Sequence, residues 1–280
     1  MLVSAEELFI DATKNQYAIG AFNFYNIDTL QAIISAAEEE KAPVIVQILS
    51  SYISYLGLAP ISAAALAAIR ESSAPIVLHL DHANRLEDVY RAIEYGFNSV
   101  MLDVSRLSIK RNIELTKKMV NKAHPLGINT EAELGHIYRA EGLNPNKAIE
   151  GMTDYRIAAR FVEQTRIDCL APAVGSAHGT YTYEPNINFS LIEEISEKTK
   201  VYLALHGGSG IPDKMIRKAV KAGISKINVG TELKQAWVKA VKVALKDNEI
   251  EIRKILSPAR EAVKKVVKKK LRLFGANNRI

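Results

Sequence analysis

Residues 76–82 read Ile76-Val77-Leu78-His79-Leu80-Asp81-His82, a short apolar run that closes on an acid and an imidazole. A strand exposed on one face alternates polar and apolar residues, whereas a nearly continuous apolar run has both faces covered, as parallel strands under helices do. Runs of the same kind lie before it at Tyr17–Phe24 and Val44–Leu49. They recur after it at Ser99–Val104, Ile128–Leu134, Ile167–Val174, Val201–His206 and Lys226–Val229. Between most of them sits an amphipathic stretch of helical length. Eight such units with short connections and no Pro/Gly/Ser-rich linker predict an α/β chain folded as a (β/α)8 TIM barrel. A doubly wound open sheet would need a G-x-G-x-x-G turn after an early strand, and residues 21–30 read AFNFYNIDTL instead. The barrel is expected to occupy residues 1–280 as one domain, with a basic helical extension over about 253–280.

With 280 residues, 48% apolar and 24% charged, the chain can bury one substantial core. Its single cysteine, Cys169, excludes an internal disulfide and suits a reducing compartment. The opening MLVSAEELFIDATK carries acids where a secretory leader wants positive charge, and no apolar run approaches the roughly 20 residues that span a bilayer. A soluble cytoplasmic protein with no membrane partner is expected. Net charge is +6, but the stretch from Arg253 to Ile280 holds ten Lys/Arg against Glu261 alone, so it carries +9 and the remainder carries −3. In AREAVKKVVKKKLRLF the residues Ala262, Val263, Val266, Val267 and Leu271 fall at helical intervals with lysines between them. That pattern predicts a docked terminal helix with a solvated lysine face rather than a nucleic-acid-binding arm.

Three of the six histidines, His82, His178 and His206, fall at or just beyond the C-terminal ends of the third, sixth and seventh expected strands. Those ends converge on one face of a barrel. Three neutral imidazoles around a vacant fourth position are what a catalytic zinc requires, because the vacancy admits a substrate oxygen. One histidine at a strand end carries little weight; three converging do. Asp81 would place a carboxyl beside that centre, provided the strand gives way to loop there, since a regular strand sends neighbouring side chains to opposite faces. His79 is expected to be a packed core residue. After the seventh strand comes His206-Gly207-Gly208-Ser209-Gly210, and after the eighth Asn228-Val229-Gly230-Thr231 leads into a helix. Both are candidate phosphate cradles, because glycines admit an anion close to backbone N–H groups and helix N-termini favour negative charge. The segment Gly135–Met152, GHIYRAEGLNPNKAIEGM, is a candidate lid.

Taken together, AFNFYN, LHLDH, EAELG, the stretch from Asp168 through GSAHGTY, LALHGGSGIP, KINVGTELK and SPAREAVKK resemble the class II fructose-bisphosphate and tagatose-bisphosphate aldolases, nearly end to end. The resemblance implies a zinc-dependent barrel enzyme, a homodimer or homotetramer, that cleaves a ketose bisphosphate to dihydroxyacetone phosphate and an aldehyde. It implies that His82, His178 and His206 hold the catalytic zinc and that Asp81 is the acid acting on the aldehyde-forming oxygen. Gly179, Gly207, Gly208, Ser209, Asn228, Val229, Gly230 and Thr231 would contact dihydroxyacetone phosphate. Asn23 matches an active-site asparagine. Asp103 and Glu133 match positions that hold a second metal in some members, and Glu141 matches the mobile-loop glutamate that exchanges a carbon-bound proton.

The sequence departs from that pattern in places. Tyr138-Arg139-Ala140 precedes Glu141 where the family has Gly-Gly, and Leu49 occupies the position of a family serine, with Ser50 or Ser51 as its stand-in. Residues 102–112, LDVSRLSIKRN, lack the Gly-Ser-His of one subgroup, and Arg106 or Arg260 is available for a second phosphate. Three functional readings therefore stand: a fructose 1,6-bisphosphate aldolase, an aldolase for tagatose bisphosphate or another ketose phosphate, and a sugar-phosphate-binding relative without turnover. Zinc-dependent hydrolysis would use metal-bound water but gives no reason for paired phosphate loops.

Overall fold

A computed structural model describes residues 1–143, 145–245 and 249–280. The elements in chain order are α1 (Ala5–Lys14), β1 (Ile19–Asn23), α2 (Ile27–Glu39), β2 (Val44–Leu49), α3 (Ser50–Leu56), α4 (Leu58–Glu71) and β3 (Ile76–Ala83). There follow α5 (Leu86–Glu94), β4 (Ser99–Leu102), α6 (Ile109–Ala123), β5 (Asn129–Leu134), α7 (Pro145–Glu150), α8 (Tyr155–Thr165) and β6 (Cys169–Pro172). The chain ends with α9 (Phe189–Thr199), β7 (Tyr202–Leu205), α10 (Asp213–Lys221), β8 (Ile224–Val229), α11 (Thr231–Ala244) and α12 (Ile252–Phe274).

All eight expected strands form, and they close in sequence order into one parallel barrel, with β8 pairing back onto β1. Every residue of β1, β4, β5, β6 and β8 is buried, which is why the apolar stretches Val100–Leu102 and Cys169–Pro172 read as unbroken runs. The helices begin where polar caps allow. Asn26 starts α2 with a reciprocal cap, its Oδ1 accepting from Thr29 N–H at 2.8 Å while Thr29 Oγ1 accepts from Asn26 N–H at 3.1 Å. Asp154 and Asn188 cap α8 and α9 one way only, their side-chain oxygens accepting from the N–H groups of Arg156 and Leu191.

The strand that carries Asp81 and His82 departs from expectation. It does not give way to loop at Asp81 but runs on to Ala83, and its pairing with β4 slips: Leu80 faces Val100, whereas Ala83 faces Leu102. One extra residue on β3 is a β-bulge, and His82 absorbs it with φ of +52°. Ser50, the first residue of α3, braces the kink by donating its hydroxyl to the His82 carbonyl at 2.7 Å.

The basic C-terminal segment forms α12, which lies against α2 and α11. Val263, Val267, Leu271 and Phe274 are buried along one stripe of it, each contributing roughly 1.5–3 kcal/mol of apolar transfer. Its cations are not all solvated. Lys264 and Lys268 reach Glu39 at 3.1 and 2.7 Å, Arg272 reaches Glu40 at 2.7 Å, and the buried Lys270 reaches Glu232 at 2.6 Å. Exposed pairs contribute about 0–1 kcal/mol each, so the apolar stripe holds the helix and the charges fix its register. Among the described residues no single helix is long and apolar enough to cross a membrane.

Candidate active site

The C-terminal ends of the strands open into a cleft of about 350 Å³ lined by His82, His178, Asp81, Asn23, Asp103, Glu133, Gly179, Gly207, Ser209, Asn228, Gly230 and Thr231 among others. His82 comes from the bulge on β3, His206 from the residue after β7, and His178 from the long connection after β6. Their rings meet: His82 lies 4.7 Å from His206 and 4.9 Å from His178, centroid to centroid, with His178 and His206 5.8 Å apart. One ring nitrogen from each can be chosen so that all three lie within 4.8 Å of one another.

The remaining ring nitrogens show how the imidazoles are oriented. His206 Nε2 faces Glu131 Oε1 at 2.8 Å, and His82 Nδ1 faces Asp103 Oδ2 at 2.8 Å. Each ring is thus pinned by a carboxylate on its far side, the arrangement that orients metal-ligating histidines. His178 Nε2 and His206 Nδ1 are buried and have no hydrogen-bond partner among the described residues, Glu133 Oε2 lying 3.7 Å from the latter. Burial holds the pKa of His178 well below the ordinary imidazole value and lowers that of His206. Two neutral imidazoles with buried, unsatisfied lone pairs, beside a third carboxylate-braced ring, fit a divalent cation such as zinc.

Asp81 sits beneath them, almost fully buried. Its Oδ2 accepts from Asn23 Nδ2 at 2.7 Å and Gln47 Nε2 at 3.1 Å, and its Oδ1 accepts from Asn228 Nδ2 at 3.3 Å. Burial would raise its pKa, but the charges of His82 and Lys226 outweigh burial and leave it below the usual carboxylate value. A carboxylate held in place by three amide donors, with an imidazole 3.7 Å from Oδ1, is fixed and ionised.

A second cluster, His82, Asp103 and Glu133, shares one imidazole with the first. Ser105 Oγ bridges its acids, donating to Asp103 Oδ1 at 2.8 Å and lying 3.0 Å from Glu133 Oε1. Burial, together with the Asp103 charge, pushes Glu133 up to about 8.

The glycine loops also meet in the cleft. Gly208 N–H donates to Asn228 O at 3.0 Å, tying the loop after β7 to the end of β8. A Cβ at Gly207, where φ is +68°, would overlap the Ala177 carbonyl, and a Cβ at Gly208 would meet Ile227 Cγ2 at 2.6 Å and Asn228 O at 2.8 Å. The backbone therefore passes at a distance only glycine permits. Val229 is buried and Gly208 lies behind the lining, so both shape the cleft from outside it.

Some expected residues stand apart. Glu141 is exposed at the rim and does not line the cleft; its Oε1 accepts from Thr180 N–H at 2.8 Å and Arg139 Nε lies 3.6 Å from Oε2. The start of the candidate lid is anchored through Ala140 N–H to His178 O at 2.7 Å and His178 N–H to Tyr138 O at 2.8 Å. Residue 144 of that segment lies outside the described residues. Of the two candidate arginines, Arg106 lines the cleft and Arg260 does not; Leu49 and Ser51 line it too. Sequence reading missed Glu131 and Lys226, a fully buried pair 2.7 Å apart under His206, and it missed Gln47. The available signal was a charge inside an apolar strand, in Asn129–Leu134 and in Ile224–Val229, which must find a partner there.

Barrel and cleft together define a class: a (β/α)8 protein with a cation-ready trio of imidazoles, an ionised carboxylate beside it and two glycine loops across from it. The chain matches the family described as fructose-bisphosphate aldolase class-II over residues 3–279. It is 42% identical over 284 residues to a probable fructose-bisphosphate aldolase of Bacillus subtilis strain 168, and 41% identical over 285 residues to a fructose-bisphosphate aldolase of Staphylococcus epidermidis, with 99% of each chain covered in both. Among solved structures, the YdjI aldolase of Escherichia coli K12 superposes with a TM-score of 0.89 at 36% identity, covering 99% of both chains. The chain belongs to the class II fructose-bisphosphate aldolase family.

Proposed function

We propose that the chain reversibly cleaves a ketose 1,6-bisphosphate, fructose 1,6-bisphosphate foremost, to dihydroxyacetone phosphate and glyceraldehyde 3-phosphate. The observation that carries this reading is the pair of buried nitrogens, His178 Nε2 and His206 Nδ1, without a hydrogen-bond partner among the described residues, facing His82 beside the ionised Asp81. His82, His178 and His206 would hold a zinc ion, and Asp103 and Glu133, with His82, a second cation. When bound, the zinc supplies an electron sink for the charge that develops as the carbon–carbon bond breaks.

The chain's own residues manage protons and position. In cleavage, Asp81 takes the hydroxyl proton from the carbon that becomes the aldehyde; in condensation it returns that proton to the aldehyde oxygen. Asn23, Gln47 and Asn228 hold it in one rotamer for both directions. We assign to Glu141 the proton exchange at the carbon left on the ketone side, which requires the carboxylate to leave Thr180 and swing into the cleft. Gly179, Gly207, Ser209, Asn228, Gly230 and Thr231, which line the cleft, hold the phosphate of the three-carbon ketone, and Gly208 and Val229 support the two loops from behind. The fully buried, unpaired Cys169 suits a cytoplasmic protein. Val238, Val243 and Leu245, exposed on and after α11, support a homodimer or homotetramer.

A second substrate, tagatose bisphosphate or another ketose phosphate, is favoured by Leu49, an apolar side chain lining the cleft where the family has a serine. Assaying purified protein on both sugar bisphosphates, with and without chelator, tests both readings. Cleavage that a chelator abolishes and zinc restores is expected, along with loss of stoichiometric zinc in His206→Ala. Stoichiometric zinc retained in that variant would remove His206 from the metal site.

A further inference from the structure

The hydroxyl of Tyr25 is buried beside the cleft and has no hydrogen-bond partner among the described residues. A buried donor left unmade costs about 1–3 kcal/mol, so the position is either wasteful or waiting for an acceptor. Its direction is firmly set. Tyr25 directly precedes Asn26, the cap of α2; its own N–H donates to Thr29 Oγ1 at 2.8 Å, and its ring packs on Tyr52 with centroids 5.1 Å apart. A Cβ at Gly230 would lie 3.0 Å from the hydroxyl, which puts the phenol against the residue that opens α11.

Lys234, exposed to solvent, is its companion. It is the fourth residue of α11, where the helix dipole disfavours a cation by about 0.3–1 kcal/mol. It nevertheless lines the cleft, with its ammonium 5.6 Å from the centre of the Tyr25 ring. No carboxylate of the described residues lies within 4.0 Å of it. A buried donor without an acceptor among the described residues and an exposed ammonium, whose charge reaches the rim carboxylate of Glu141 without pairing with it, thus flank the same helix N-terminus, and an anion would satisfy the first and attract the second.

We propose that Tyr25 and Lys234 form a phosphate-reading pair for the ligand held at Gly230 and Thr231, the hydroxyl donating to a phosphate oxygen and the ammonium supplying countercharge. The identity of that ligand, dihydroxyacetone phosphate, rests on the aldolase reading above; the preference for a phosphate does not.

The test is calorimetry on the zinc-loaded chain, its Tyr25→Phe variant and its Lys234→Met variant, with three probes: dihydroxyacetone phosphate, phosphate-free dihydroxyacetone and inorganic phosphate. Each substitution is expected to weaken dihydroxyacetone phosphate by about five- to thirty-fold while shifting dihydroxyacetone less than two-fold. Lys234→Met should also flatten the salt dependence of binding, and in turnover KM should rise by more than kcat falls. Equal losses for the phosphorylated and phosphate-free ketones would make the residues mere props and overturn the pair, as would undiminished affinity for dihydroxyacetone phosphate. A wild-type chain that binds inorganic phosphate yet cleaves no ketose bisphosphate would sink the aldolase reading alone. The pair then stands if both variants lose phosphate and falls if they keep it.

Discussion

Asp81 and His82 are consecutive in the chain, yet Oδ1 of the first lies 3.7 Å from Nε2 of the second. A pleated strand would put them on opposite faces, so the bulge at His82 is what brings the proposed proton-transferring carboxylate and the proposed metal-ligating imidazole into one cleft. Left-handed backbone at a non-glycine residue costs of order 1–3 kcal/mol, and such strain persists where the surroundings over-determine it. Here they do: Ser50 holds the His82 carbonyl and Asp103 holds its ring.

Asp81→Asn tests the proton role with little change of shape. The amide keeps the volume and can still hydrogen-bond, but it cannot take up the hydroxyl proton. Zinc content and folding should persist while kcat falls by about 10²–10⁴. A kcat within a few-fold of wild type would take Asp81 out of the reaction.

Much of this was legible from the chain, for reasons that differ by element. Most of the strands could be read because both their faces are buried, so an apolar run is their signature whatever the register. His82 and His206 could be read because strand ends in a barrel meet on one face. The bulge could not be read, since a one-residue slip between β3 and β4 leaves no mark on the composition of either. Glu131 and Lys226 hid because Thr-Glu-Ala-Glu-Leu and Ser-Lys-Ile-Asn-Val imitate the alternation of a half-exposed strand. Only the closed barrel shows that their charges point inward, at each other and at His206. Glu141 was matched by resemblance, but its place at the rim depends on a loop that pairs with the backbone of His178.

Metal binding should release protons. Burial alone would lower the pKa of His82, but Asp81 and Asp103 outweigh it and raise it to about 9, so in the metal-free chain this ring is protonated at pH 7. A cation must displace that proton. Zinc titrated calorimetrically at pH 7 in buffers of different ionisation enthalpy should therefore release at least one proton, and affinity should climb with pH until it levels near 9. Affinity independent of pH between 7 and 9 would show that His82 is already neutral.

Gly207→Ala probes the close approach between the loops that carry His206 and His178. The new methyl group would overlap the Ala177 carbonyl, and φ of +68° is unfavourable for any side chain. A loss of about 2–4 kcal/mol in stability and a weakened affinity for dihydroxyacetone phosphate are expected, measured by denaturant unfolding and by calorimetry. Wild-type stability would mean that the loops have room the structure denies them.

Acid should loosen the docking of α12 before it touches the barrel. Hydrogen bonds from Lys268 and Lys264 lower the Glu39 pKa from 4.5 to about 2. A carboxylate whose pKa is depressed on folding stabilises the fold above its unfolded value and loses that contribution as pH falls through the folded one. The window is thus pH 4.5 down to about 2, with full strength at neutrality. The pairs are at the surface, so the contribution is about 1 kcal/mol, or roughly 2 °C in Tm for a chain of this size. Wild type should then melt above Glu39→Gln at pH 6, with the gap closing steadily below 4.5 and shrinking in high salt. A gap that stays constant down to pH 2 would mean that the lysines of α12 gain nothing from the Glu39 charge and that the buried stripe of Val263, Val267, Leu271 and Phe274 holds the helix unaided.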